Sequence, residues 1–216
     1  MKPLLSILIP TVVGREDKLK KLICSLTGNI FPNSLEEVMQ HKQYELMFMI
    51  NQEVEVIVIC DDKSMTVGEK RNKLYRMANG AYSFMPDDDD SVAGDFINKV
   101  LSAIQSNPDC VTYWEHCTID NNIYKSRHSI EYPSWYGDGS RLLHDGFHYH
   151  RNVYFKDVIK TSIAQQVQVP EIRWNEDEQF AISLAPLLHT EKHIPEFMYF
   201  YDTKSENPIE KYGLDK

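Results

Sequence analysis

The sequence lacks several features that would place it in a common functional class. Basic residues are in deficit, with 23 lysines and arginines against 32 aspartates and glutamates, so the formal net charge is −9. Nucleic acid is therefore not an expected partner, because phosphate binding needs a basic surface. The four cysteines form no CxxC pair, which argues against a structural zinc site or a disulfide framework in a chain of this length.

Long hydrophobic runs are also absent. No apolar stretch approaches the roughly 20 residues that a transmembrane helix needs. The first apolar run, Leu4–Pro10, is too short for a signal peptide, and no small-residue cleavage site follows it. We therefore expect a cytoplasmic protein without a transmembrane segment, with attachment to a membrane surface left open.

The first half of the chain alternates strand and helix patterns. Apolar runs at Leu4–Pro10, Val54–Cys60 and Ala81–Pro86 are typical of buried strands, and helical spacing of apolar residues follows each run. Residues 35–50 fit a second helix or an irregular insertion. The pattern predicts an α/β fold with a mostly parallel central sheet flanked by helices.

The second half is less regular. We expect two strands around a turn at 120–122, a helix near 156–166, a helix from about Glu176 to Leu188 and a last strand near 193–202. The whole chain, 1–216, is interpreted as one domain. It divides into a Rossmann-like half (1–107) and a mixed half (108–216).

Four consecutive aspartates, Asp87–Asp90, directly follow the third predicted strand. Ligands of open α/β sheets bind at the carboxyl ends of the strands, where Asp61 and Asp62 also lie. One helix cap, for which Ser91 would suffice, does not need four repelling carboxylates. A divalent cation would relieve the repulsion, and carboxylates suit Mg²⁺ or Mn²⁺. We therefore favour a metal site over a cap.

Two further charged residues are predicted to face inward from helices. Arg71 shares a helix stripe with Val67 and Leu74. Two kinds of partner are equally expected for it: an aspartate or a phosphate of the site, or an ion pair with Asp61 or Asp62. Asp177 shares a stripe with Phe180, whereas Glu176 and Glu178 are predicted to face elsewhere. A carboxylate at a helix N-terminus has the alternative role of favouring the helix dipole.

The segments SILIPTVVGRE, VEVIVICDDKS, GEKRNKLYRMANGAYSFMPDDDD and WNEDEQFAISL occur in this order. Their order and spacing resemble family 2 glycosyltransferases of the GT-A fold. The resemblance implies that Pro10, Thr11 and Arg15 border a nucleotide, and that Asp62, or else Asp61, meets its base. It also implies a DxD motif at Asp87–Asp89, with Asp87 and Asp88 at the nucleotide, Asp87 and Asp89 at the metal, and Asp90 as a further participant.

The resemblance extends to the second half of the chain, and it implies that residues 1–107 bind the nucleotide-sugar and residues 108–216 bind the acceptor. Asn175–Asp177 is similar to the catalytic-base motif, with Asp177 as the base and Glu176 on the acceptor side, and DGFHYHRNVY is similar to an acceptor-side segment. Alternation places His148 and His150 on one strand face, and Trp135 is a candidate for stacking on a sugar or for anchoring a loop. The tryptophan motif of processive members is absent, which favours transfer of one sugar.

The resemblance thus implies a metal-dependent, inverting, hexosyltransferase-like enzyme. Its donor would be a nucleotide-sugar, with a UDP-sugar favoured, and its acceptor a carbohydrate or a glycan-lipid. Two other classes stay open. A nucleotidyltransferase acting on sugar phosphates would usually carry a glycine-rich loop, and residues 11–17 contain only Gly14. A non-catalytic metal- or carbohydrate-binding domain would bind metal without binding nucleotide.

Overall fold

The fold is a mixed α/β sheet in a computed structural model that describes residues 2–28, 31, 33–172 and 175–203. Its strands are β1 (Leu5–Val12), β2 (Tyr44–Met49), β3 (Val54–Asp61), β4 (Tyr82–Phe84), β5 (Ser91–Val92), β6 (Cys110–Ile119), β7 (Asn122–His128), β8 (Tyr149–Arg151), β9 (Val158–Lys160) and β10 (Glu191–Thr203). Its helices are α1 (Glu16–Thr27), α2 (Asn33–Val38), α3 (Val67–Met77), α4 (Phe96–Ile104), α5 (Thr161–Ala164) and α6 (Glu176–Leu184), and a 3₁₀ turn at Ala185–Leu187 follows α6.

The main path of the sheet has the order β2-β3-β1-β4-β9-β6-β10-β5, and β7 and β8 extend it from β6. β1 pairs in parallel with β3 and β4. β9 is antiparallel to both β4 and β6, and β10 is parallel to β6. Five of these eight strands therefore run in one direction, which agrees with the predicted mostly parallel sheet flanked by helices.

The sheet is buried on both faces because its inner strands are apolar on both. On β1, Leu5, Ile7 and Ile9 pack on one side in the cluster that contains α1 and α4 residues. Leu8 packs on the opposite side with residues of α3 and α6. Because β1 pairs in parallel with β3 and β4, the carboxyl ends of these three strands open at one edge of the sheet.

One local prediction is wrong, and two open alternatives are resolved. A strand (β9) and a single helical turn (α5) replace the helix predicted near 156–166, because this segment pairs with β4 and β6. The alternative of a cap at Ser91 does not hold, because α4 begins at Phe96 after Asp95; Ser91 lies in β5 and pairs with Phe200 of β10. The segment 35–50 ends α2 and then forms the edge strand β2, antiparallel to β3.

Candidate active site

The first cavity lies at the carboxyl end of β1 and has a volume of about 390 Å³. Residues from the end of β1 and the start of α1 form one wall, and α3 and the aspartate run form others. Its lining includes Pro10, Thr11, Arg15, Lys70, Asp87, Asp88, Asp89 and Tyr201. The structure therefore brings together at this edge the residues predicted there from β1 and from the aspartate run.

Basic side chains of the protein surround the aspartate run. Arg15 pairs with Asp88 and Asp89, at 2.5 and 2.6 Å, and Lys18 contacts Asp89 at 3.2 Å. The repulsion from which a cation was predicted is therefore already relieved, in part, by the chain itself. Lys18 was not predicted at the site, although it lies in the first turn of α1, three positions after Arg15, which immediately precedes that helix.

Lys156 is the central cation behind the run. Its buried ammonium lies 2.9 Å from both Asp87 and Asp90, and above the rings of Tyr199 and Tyr201. Burial opposes ionisation of Asp87, but Lys156 and Arg71 outweigh burial and hold the pKa of Asp87 below its usual range. Burial raises the pKa of Asp90 to about 7 despite Lys156. The pKa values of two aspartates of the same run are thus shifted in opposite directions by their surroundings.

Asp61 and Asp62 occupy different environments at the end of β3. Asp61 is buried, pairs with the ammonium of Lys70 and accepts a hydrogen bond from the Met65 amide at 2.7 Å. Lys70 also donates to the carbonyl of Thr11 at 2.6 Å, which ties α3 to β1. Asp62 is exposed, and the lining of the first cavity includes neither aspartate. Lys70, which the sequence analysis missed, does line this cavity.

A second cavity of about 340 Å³ adjoins the first, with Asp87 and Tyr201 common to both linings. Its walls come from α3, β6, β8, the start of α6 and the segments around them. The lining comprises Arg71, Asp87, Glu115, Cys117, Ile119, Trp135, Tyr149, Arg151, Tyr154, Phe155, Lys156, Glu176, Asp177 and Tyr201. This composition of aromatic rings and charged groups suits a sugar-like or other polar ligand.

Arg71 connects the aspartate run to the start of α6. Its guanidinium donates to Asp87 at 2.9 Å and to Glu176 at 2.7 Å, and it stacks over the Phe155 ring at 3.8 Å. Arg71 therefore pairs with an aspartate of the site, Asp87, whereas Asp61 pairs with Lys70. Arg71 lines the second cavity and not the first.

Asp177 and Glu176 both reach the second cavity. Phe180 and Ala181 are buried, so the face of α6 that carries Asp177 does point inward, as predicted. Glu176 was predicted to face elsewhere, and this is wrong, because the first residue of the helix turns toward Arg71. Among the described residues, no basic side chain pairs with Asp177, and Trp174 of the WNED segment lies outside those residues.

A buried network of charged groups supports the wall of the second cavity. The imidazole of His128 lies 3.0 Å from Asp157 and 3.2 Å from Glu115. Burial disfavours the charged imidazole, but the two carboxylates outweigh burial and raise the pKa of His128 to about 9. Burial also opposes ionisation of Glu115, yet His128 and Arg151 lower its pKa to about 2. His128 is thus predominantly an imidazolium at neutral pH.

The predicted acceptor-side residues divide into two groups. Trp135 and Glu176 line the second cavity, whereas His148 and His150 do not. The Nδ1 of His148 accepts a hydrogen bond from the Lys125 amide at 3.0 Å. The buried His150 lies 2.8 Å from Asp145 and stacks on Tyr132. Both histidines therefore contact neighbouring loop and strand residues and do not line the second cavity.

The carboxylates at the first cavity suit a hard divalent cation in ligand type. Mg²⁺ commonly takes one or two carboxylates together with substrate phosphates, and Asp87 and Asp89 both face this cavity. Within the described ranges, no group of three or more His, Cys, Asp or Glu side chains is arranged to hold a metal. These two carboxylates would hold such a cation only together with further ligands, such as phosphate oxygens of a substrate. The cation would have to compete with Arg71 and Lys156 at Asp87, and with Arg15 and Lys18 at Asp89.

Comparison with known proteins identifies solved structures that share this fold. No family model and no curated protein matches the sequence. Among solved structures, residues 1–349 of TarS, a glycosyltransferase from S. aureus, match with a TM-score of 0.61 and 14% identity, over 94% of this chain and 60% of that one. The same fragment in complex with UDP-GlcNAc matches with a TM-score of 0.61 and 14% identity, over 96% of this chain.

The chain spans only part of these neighbours. A longer TarS structure matches 99% of this chain, which covers 38% of that one, again at 14% identity and a TM-score of 0.61. At such low identity the likeness concerns the fold. The described helices include none long and apolar enough to cross a membrane.

Proposed function

We propose that this protein is a glycosyltransferase that uses a nucleotide-sugar, with a UDP-sugar favoured, and transfers one sugar to the hydroxyl of a carbohydrate or glycan-lipid acceptor. The observation that carries the proposal is the junction of the two cavities at Asp87 and Tyr201. The first cavity has the position of a nucleotide site at the carboxyl ends of parallel strands. The solved complexes of TarS with UDP-GlcNAc and UDP add support from the fold.

Asp177 is the proposed general base, for an inverting reaction. The acceptor hydroxyl attacks the anomeric carbon from the side opposite the diphosphate, and its proton passes to the Asp177 carboxylate. The new carbon–oxygen bond forms while the bond to the diphosphate oxygen breaks, and the diphosphate leaves with that electron pair. Two observations support this role: Asp177 lines the second cavity, and no basic side chain of the described residues pairs with it.

Asp87 and Asp89 are the proposed ligands of Mn²⁺ or Mg²⁺. When bound there together with the donor, such a cation supplies positive charge that neutralises the diphosphate as it leaves. Arg15 at the first cavity is a further cation near the proposed diphosphate, and Thr11 and Asp88, which are hydrogen bonded to each other, are proposed to border the nucleotide. The base contact is proposed for Asp62, or else for Asp61.

Calorimetric titration of UDP and of UDP-GlcNAc tests this function. We expect both ligands to bind in the presence of MnCl₂ and to bind at least about tenfold more weakly with a chelator. Asp89→Asn should lose most of the metal-dependent part, whereas Asp95→Asn, on the exposed start of α4, should behave like the wild type. The nucleotide-sugar proposal would be contradicted if UDP did not bind at millimolar concentration. The proposed metal dependence would be contradicted if UDP bound equally with and without chelator.

A further inference from the structure

Arg151 differs from the other cations of the second cavity in how its charge is compensated. Arg71 and Lys156 each contact two carboxylates at 2.7–2.9 Å. Within the described ranges, the carboxylate nearest to Arg151 is that of Glu115, at 3.9 Å, which exceeds hydrogen-bond distance. Among the described side chains, the Tyr154 hydroxyl also contacts the guanidinium, at 3.4 Å. Most of its N–H donors are therefore not used by carboxylates of the chain.

Aromatic rings hold the guanidinium in place. It lies over the indole of Trp135 at 4.4 Å and near the ring of Tyr149 at 5.5 Å. Its side chain is 22% exposed, and all three residues line the second cavity. Stacking fixes the plane of a guanidinium and leaves its N–H edge for planar, bidentate recognition of a carboxylate or phosphate.

Glu115 cannot readily move to neutralise Arg151. Its carboxylate accepts a hydrogen bond from His128 at 3.2 Å, and His128 is held from its other side by Asp157 at 3.0 Å. Glu115 is only 1% exposed, so a shift toward Arg151 would abandon the His128 contact in a buried place. The network therefore keeps Glu115 at the back of Arg151.

The remaining carboxylates of the cavity are not partners of Arg151. Asp87 and Glu176 contact Arg71, and Asp177 has no basic partner among the described residues. In the described part of the second cavity, Asp177 thus has no basic partner and accepts a hydrogen bond only from the Glu178 amide, at 2.9 Å, while the Arg151 guanidinium has no carboxylate within hydrogen-bond distance. A ligand with a hydroxyl group and an anionic group can satisfy both at once, whereas a neutral sugar satisfies only part of the guanidinium edge.

We infer that Arg151, stacked on Trp135, forms a subsite for an anionic group of the acceptor, either a phosphate monoester or diester or a carboxylate. This inference rests on the proposed function and assigns the acceptor a chemical class. Binding of the anion at Arg151 would place a hydroxyl of the same molecule toward Asp177. Arg151 is a binding and positioning residue in this scheme, and it exchanges no proton.

Three sugars with the same ring test the subsite: glucose 6-phosphate, glucuronate and glucose. Their binding is measured by titration calorimetry or ligand-observed NMR, with and without saturating UDP. We expect at least one anionic sugar to bind about tenfold or more tightly than glucose, as a charge-assisted hydrogen bond allows. The preferred anionic sugar identifies the source as phosphate or carboxylate. Equal binding of all three by the wild type would overturn the inference without the use of any variant.

Variants at Arg151 test whether this residue causes the preference for anionic sugars over glucose. Arg151→Gln should abolish it and Arg151→Lys should retain part of it, whereas Arg141→Gln, an exposed arginine outside the second cavity, should leave it unchanged. Thermal unfolding of each variant shows whether the fold persists. An unchanged preference in folded Arg151→Gln would contradict the inference, and so would loss of the preference under saturating UDP, which would assign Arg151 to the donor diphosphate.

The outcome separates this inference from the proposed function. UDP binding without a preference for anionic sugars would leave the glycosyltransferase proposal intact and remove the subsite. An Arg151-dependent preference without any UDP binding would retain the subsite and contradict the nucleotide-sugar proposal.

Discussion

At the scale of single residues, the candidate site consists of carboxylates whose charge depends on buried cations. Lys70, Arg71 and Lys156 each have side chains no more than 8% exposed, and each contacts at least one carboxylate. A buried charge that loses its partner costs about 3–5 kcal/mol, so these pairs hold the strand ends in place. Asp177 has no basic partner among the described residues, and for this reason it is the proposed base.

Replacement of the proposed base should separate binding from chemistry. Asp177→Asn is expected to retain the fold and UDP binding but to slow transfer by at least about 10²-fold, since general-base catalysis contributes 10²–10⁴-fold. Single-turnover transfer from UDP-GlcNAc to an acceptor checks this, with product configuration read by NMR. Glu178→Gln, the next residue of α6, is the matched control and should cost less. Near-normal transfer by Asp177→Asn, or retained configuration, would rule out this mechanism.

His128 should make the stability of the fold depend on pH. Its folded-state pKa of about 9 lies above the unfolded value of about 6.5, so the folded protein binds more protons between these values. The contribution is complete below about pH 6.5 and disappears as pH rises through 9, by up to about 3 kcal/mol. The rise in the Asp90 pKa to about 7 acts mainly below this window.

Urea unfolding at pH 7 and pH 9 measures this dependence. The wild type should lose stability on passing to pH 9, and His128→Gln, less stable at pH 7, should show a much smaller difference. His144→Gln, on an exposed histidine, should follow the wild type. A wild-type unfolding free energy that stays level or rises between the two pH values would contradict the charged His128.

The sequence predicted the acidic half of the site better than the basic half. The run Asp87–Asp90 stands out because consecutive like charges repel each other. Asp177 stands out because it is a charged residue on the apolar stripe of a helix, in its first turn. Lys156 lies 66 positions after Asp90 in the chain, and only the placement of β9 beside β4 brings it there. Arg151 was likewise not singled out, although it belongs to the DGFHYHRNVY segment compared with an acceptor side.

At the scale of elements, α3 is the part that joins both cavities. Its Lys70 contacts β1 and Asp61, its Arg71 contacts the aspartate run and α6, and its Asn72 exchanges two hydrogen bonds with the backbone of Val169. Close packing of α3 on the 169–171 segment is possible because Gly68 has no side chain. A Cβ at this position would lie 2.4 Å from the carbonyl oxygen of Pro170.

Gly68→Ala should therefore destabilise the protein although alanine is the better helix former. Intrinsic propensity favours alanine by about 1 kcal/mol, but overpacking against backbone typically costs about 1–3 kcal/mol, so we expect a net loss and weaker UDP binding. Gly94→Ala, where nothing lies within 4 Å of the added Cβ, is the control and should change stability little. Denaturant unfolding compares the two, and a Gly68→Ala variant as stable as Gly94→Ala would contradict this packing.

Element type followed from the sequence where one periodicity dominated. β1, β3, β6, β7 and β10, and helices α1, α3 and α6, lie where apolar spacing predicts them. The segment 156–166 fails because β9 is only three residues long and its burial comes from pairing with β4 and β6. Strand pairing of this kind is a tertiary effect that the local spacing of apolar residues cannot predict.

At the scale of the whole molecule, a single sheet carries both cavities. The end of β1 and the segments that follow β3 and β4 line the first cavity, while β6, β8 and residues of β10 bring aromatic and charged walls to the second. β9 connects the two parts of the sheet by pairing with β4 on one side and β6 on the other. The resemblance of ordered motifs predicted this architecture, and the match of 94–99% of the chain to TarS structures agrees with it.

The central claim is that a nucleotide-sugar lies across the two cavities, with its nucleotide in the first and its sugar at the second. A crystal structure of the Asp177→Asn variant with UDP-GlcNAc and MnCl₂ measures this directly. We predict the diphosphate beside Arg15 and Asp89, and the sugar past Asp87 with its anomeric carbon facing residue 177. A nucleotide bound outside the first cavity, or a sugar that points away from residue 177, would contradict the account.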